Sequence, residues 1–68
     1  MLALSHAAHY YIFLKWFKTT HPRLYNQYNL HIIVPTESLK IKAAMNYVEP
    51  DDREALQAVI DEYNQNAH

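Results

Sequence analysis

Leu30-His31-Ile32-Ile33-Val34-Pro35-Thr36-Glu37-Ser38-Leu39-Lys40-Ile41-Lys42-Ala43-Ala44-Met45 is the stretch on which the fold class turns, because it admits two structures. In the first, Leu30 to Val34 is an extended connection that drops Ile and Val side chains into the core. Thr36 then caps a helix from Glu37 to Tyr47, with Glu37 in the first turn where the helix dipole favours an acid. Ile41, Ala44, Met45 and Val48 form its apolar stripe. In the second, Pro35-Thr36-Glu37-Ser38 is a four-residue turn between strands 31–34 and 39–43, and the alternation Leu39-Lys40-Ile41-Lys42 supplies the two-residue period. Two strands alone are marginal in water, and Ala43-Ala44-Met45 favours helix. The expected fold is therefore all-α, a compact bundle of three to four short helices in one small domain spanning 1–68. The alternative is α+β with a small hairpin at about 31–43.

Towards the N-terminus lies the most hydrophobic block, Tyr10-Tyr11-Ile12-Phe13-Leu14-Lys15-Trp16-Phe17, which includes both Phe and the single Trp. A helix from about Leu2 to Thr19 places Ala3, His6, Ala7, Tyr10, Phe13, Leu14 and Phe17 on one face. Ile12 and Trp16, four apart, form an apolar pair on the opposite face. His21-Pro22 closes this helix, since a residue before Pro is pushed out of the α region. Pro22 can open a second, short helix running to Asn29, with Leu24, Tyr25 and Tyr28 packed on the first. Asn29 is expected to end it through left-handed backbone.

Towards the C-terminus, Asp51-Asp52-Arg53-Glu54 has the form of a capping box. Leu56, Val59, Ile60 and Tyr63 follow as one stripe at i, i+3, i+4 and i+7, which predicts the last helix. Asn64 to His68 is expected to fray.

Composition narrows the function. The chain has no Cys, so disulfides, thiol chemistry and Cys-based zinc sites are excluded. It also has no Gly, which rules out Walker-type loops, dinucleotide fingerprints and nucleophile elbows. The longest apolar run near the N-terminus, Tyr10 to Leu14, is far short of the roughly 20 residues that cross a bilayer. The first nine residues carry no Lys or Arg, unlike a signal peptide. The expectation is a cytoplasmic protein with no membrane association. At 68 residues the margin of stability is thin, and self-association or a partner is the natural support.

Charge is polarised along the chain although the net value is only -1. Lys15, Lys18, Arg23, Lys40 and Lys42 stand against Glu37 in residues 1–42, whereas Arg53 stands against Glu49, Asp51, Asp52, Glu54, Asp61 and Glu62 in the remainder. His6 and His9 have His-x-x-His spacing, but no carboxylate or Cys completes a metal set; His6 falls on the apolar face, as a partly buried residue with one hydrogen bond. Asp51, Asp52 and Glu54 could pair as acid and base, yet capping and the dipole already account for them, and no nucleophile or oxyanion donor accompanies them. No catalytic residue, cofactor or metal is assigned, and the chain is expected not to be an enzyme.

What is left is interaction. Aromatic residues are enriched in interface cores, and Trp and Tyr are frequent hot spots. Tyr11, Ile12, Lys15 and Trp16 are the expected partner-binding residues, and the acidic patch Asp51, Asp52, Glu54, Asp61 and Glu62 suits a basic partner. The function read from this is a non-enzymatic protein–protein interaction module, as a homodimer or as a small regulator, inhibitor or adaptor of a larger protein. The alternative is a small helical DNA-binding regulator using Lys15, Lys18, Arg23, Lys40 and Lys42, with a helix at Thr36–Val48 for recognition.

Overall fold

Ser5 sets the start of the first helix. In the computed structural model, which describes residues 5–66, its backbone is extended and its side chain accepts a hydrogen bond from the Ala8 amide at 3.1 Å. Helix α1 accordingly runs His6–Thr20. Within the described residues the helix opens after Ser5, because a side chain capping the third amide beyond it satisfies a donor that the helix leaves open. The start expected at about Leu2 lies outside the described residues. Phe13 and Phe17, one turn apart, are fully buried, and their rings lie 5.2 Å apart.

Helix α2 occupies Pro22–Tyr28, with Pro22 at its start. It buries Leu24 and Tyr28 and sets Tyr25 edge-on to Phe17 at 5.8 Å. Asn29 does not terminate it through left-handed backbone. It stays right-handed at φ -59° and ψ -29°, and the chain tightens into a 3-10 turn over Asn29–His31. No described residue has positive φ, so a chain without Gly uses no conformation that would need it.

The deciding stretch takes the hairpin. Strand β1 (Ile32–Ile33) pairs antiparallel with β2 (Lys42–Ala43), in the register Ile32 to Ala43 and Ile33 to Lys42. The Ser38 amide donates to the Pro35 carbonyl at 3.3 Å, which makes Pro35–Ser38 a turn. The helix expected from Glu37 to Tyr47 is absent; all that remains of it is a 3-10 turn at Met45–Tyr47. Both strands are shorter than 31–34 and 39–43. The β-branched pattern prevails because it puts Ile32 and Ile41 inward while Ile33, Lys40 and Lys42 stay exposed.

Helix α3, Pro50–Asn66, supports that hairpin. The Asn64 side chain accepts from the Ile41 amide at 3.0 Å and donates to the Ile41 carbonyl at 3.1 Å, as a neighbouring strand would. Two strands marginal by themselves thus acquire a third polar partner and a packed face. Asn64, expected to fray, is instead a joint of the fold. The helix begins one residue before the expected cap, since Pro at the first helical position lacks only an amide that would have no intrahelical partner. Asp51 therefore lies inside the first turn and the capping box does not form.

The three helices and the hairpin share one core of Phe13, Phe17, Leu24, Tyr28, Ile32, Ile41, Val48, Leu56, Val59, Ile60 and Tyr63. Tyr10, Leu14 and Met45 pack partly buried at its edge. The fold is mostly helical with one small two-stranded sheet, which joins the bundle to the hairpin variant. No helix among the described residues is long and apolar enough to cross a membrane.

Candidate functional site

The outer side of α1 is a ridge with a recess on each flank. Tyr11 is 69% exposed, Ile12 47%, and Lys15 is exposed one turn from Tyr11. These three partner-binding candidates stand together on the ridge. On the hairpin side, Tyr10 and Tyr11 face Ile32, Ile33 and Val34 across an open groove of about 470 Å3. Ile33 is half exposed there, so the groove is apolar and wet. His6 borders it and hydrogen-bonds the Pro35 carbonyl through Nε2 at 3.1 Å. His6 is exposed rather than partly buried, but the single expected hydrogen bond is present and pins the loop after β1 to α1.

Trp16 sits apart from the other three candidates. It is half-buried in the seam between α1 and α3, with its ring 6.0 Å from Phe13, 5.7 Å from His21 and 5.4 Å from Tyr63. Beside it lies a cleft of about 200 Å3 lined by Trp16, Glu62, Tyr63 and Asn66. Burial pushes the Tyr63 phenol above its ordinary range, so its hydroxyl stays protonated.

The acidic patch divides in the same way. Asp51, Glu54, Asp61 and Glu62 share the exposed face of α3. Asp52 turns inward, accepting from the Tyr28 hydroxyl at 2.5 Å and from Arg23 at 3.0 Å. These bonds, Tyr28 first and Arg23 next, hold its carboxyl below the usual range. The hydrogen bond to Asp52 is likewise the main reason that Tyr28 and Arg23 are raised. Asp61 accepts from Gln57 at 2.9 Å, whereas Glu62 opens onto the Trp16 cleft.

The basic residues belong to different elements, Lys15 and Lys18 to α1, Arg23 to α2, and Lys40 and Lys42 to the hairpin. Arg23 is held by Asp52 and by Gln27 at 2.6 Å. Lys18 lies 5.8 Å above the Tyr25 ring, while Lys40 and Lys42 belong to the hairpin, where the expected recognition helix at Thr36–Val48 is replaced by turn and strand. Among the described residues no three His, Asp or Glu side chains gather into a metal-sized group. His9, His21 and His31 each keep one ring nitrogen buried without a partner.

Two contributors escape a linear reading. Tyr63 counts as core by its stripe, yet it also lines the cleft. Asn66 falls in the segment expected to fray. The available signal is the polar spacing Glu62, Asn66 beside Tyr63, which marks the margin of an amphipathic helix. Comparison of the chain with protein-family models, with curated proteins and with solved structures finds no match.

Proposed function

We propose that this chain is a non-enzymatic protein–protein interaction module, acting as a homodimer or as a small regulator, inhibitor or adaptor of a larger protein. The observation that carries the proposal is the α1 ridge, where Tyr11 and Ile12 are open to solvent and Tyr11 also lines the groove bordered by the half-exposed Ile33. Singly exposed apolar side chains are ordinary, whereas several around one groove mark an interaction surface. Tyr11, Ile12 and Trp16 supply apolar contact, and Lys15 gives the ridge a basic rim. The nucleic-acid alternative has less support, because Arg23 is engaged within the protein and leaves Lys15, Lys18, Lys40 and Lys42 to act. A cytoplasmic location belongs to the proposal and is checked by cell fractionation.

Ile12→Glu tests it. The change keeps a good helix former and costs about 1 kcal/mol or less at a half-exposed site. Sedimentation velocity over a range of concentrations is expected to show a reversible dimer for the natural chain and a monomer for the variant. A natural chain that stays monomeric moves the proposal to a different partner, sought by capture with both proteins as bait. Equal capture by both refutes the ridge.

A further inference from the structure

The cleft between α1 and α3 combines two aromatic rings with one carboxylate. Trp16 and Tyr63 are inclined at 49° with centroids 5.4 Å apart, and Glu62 and Asn66 complete the lining. Phe13 and His21 hold the indole from its other sides. At about 200 Å3 the space is smaller than the roughly 300–1,000 Å3 of a drug-sized or cofactor site.

Chemistry selects the occupant. Aromatic faces carry negative quadrupole density and attract cations, Trp most strongly. A neutral apolar group would leave the Glu62 carboxylate without a partner, and an anion would be repelled by it. Among the described residues the one ion pair is Arg23 with Asp52, so no described cation neutralises Glu62. A lysine ammonium, a compact charge on a four-carbon stem, asks less room of a cleft of about 200 Å3 than the broader planar guanidinium does. Asp61 adjoins Glu62, and Glu54 and Asp51 continue the same exposed face, which favours a run of cations over an isolated one. Lys15 lies about 100° further round α1 from Trp16, on the ridge.

We propose that the cleft of Trp16, Tyr63, Glu62 and Asn66 receives a lysine side chain from a basic segment of a partner protein. This rests on the interaction reading above and adds the partner's chemistry. The ammonium lies against the Trp16 and Tyr63 rings and pairs with Glu62, while flanking cations follow the acidic face of α3.

Trp16 is the chain's single Trp, so its emission reports on the cleft directly. The full chain is titrated with a short lysine-rich peptide, with the same peptide carrying acetylated lysines, and with tetramethylammonium. A saturable change with the first alone is expected. Glu62→Gln weakens it about tenfold, the scale of one lost charge-assisted contact. Asp51→Asn, at the far end of the acidic face, changes it much less, and circular dichroism is the same for all three proteins. The proposal is overturned by no saturable change, by equal binding of the acetylated peptide, or by equal losses in the two variants. Tetramethylammonium binding as tightly as the peptide also overturns it, since that marks a site for small quaternary ammonium ions. If the peptide fails while Ile12→Glu abolishes association, the module stands and the lysine cleft falls. If the peptide binds and Ile12→Glu changes nothing, the cleft stands without the ridge.

Discussion

Helix α3 places polar side chains in two kinds of surroundings. At Asp52 and Asn64 the acceptors and donors meet partners from other elements: Tyr28 and Arg23 at one, both backbone atoms of Ile41 at the other. At Glu62 a carboxylate of the same helix stands beside two aromatic rings with no described cation. The first kind joins the elements of the fold. The second joins no elements of the described fold, and the lysine-cleft proposal rests on it.

Substitutions can break this division, beginning with the core that both kinds of site depend on. Phe13→Ala removes a fully buried ring that contacts Trp16, Phe17 and Tyr63. A loss of about 3–5 kcal/mol is expected, enough to leave a domain of this size largely unfolded, and urea titration measures it. Asn64→Ala comes next, since it deprives the Ile41 amide and carbonyl of their partner. About 1–3 kcal/mol is expected, with the loss of amide-exchange protection concentrated in the hairpin. A uniform loss over the whole chain would show that Asn64 is no special joint.

Asp52→Asn is a smaller and pH-dependent case. The Asp52 carboxyl is lowered in the folded chain, so its contribution is present above the ordinary carboxylate pKa of about 4 and is lost as pH falls through the lower folded value. Tyr28 is raised, so its contribution is present below about 10 and is lost as pH climbs through the higher folded value. Urea midpoints of the natural chain should therefore form a plateau that falls at both ends. Asp52→Asn is expected to flatten both ends; an unchanged acid limb would dissociate the Asp52 joint from stability. Smallest of all, Glu62→Gln should move the urea midpoint by no more than about 0.5 kcal/mol equivalent, which separates it from the joints.

The helices are legible in the sequence because each carries its own pattern. Leu56, Val59, Ile60 and Tyr63 repeat at helical spacing within one segment, as do Phe13 and Phe17, and these residues are buried as expected. The hairpin is not legible to the same degree, because what stabilises it lies elsewhere. Ala43-Ala44-Met45 has a local preference for helix, while Asn64 and the core under Ile32 and Ile41 act from distant segments. Helix boundaries are less legible for a local reason: Ser5 satisfies one open amide with its side chain, whereas Pro50 lacks the amide altogether. The candidate site divides similarly. The exposure of Ile12 follows from the helical wheel, whereas Trp16 meets Tyr63 only through tertiary packing, and Asp52 is drawn from the acidic patch by Tyr28 and Arg23.

The joint at Asn64 also ties the closing turns of α3 to the hairpin. Ile41 is bound to a residue two positions before Asn66, the end of α3, so opening the last turn of that helix removes the support of β2 in the same event. Glu62, Tyr63 and Asn66 belong to those same closing turns. Whatever occupies the cleft would therefore restrain the far side of the helix as well, and a guest beside Trp16 would slow the breathing of a hairpin it never touches.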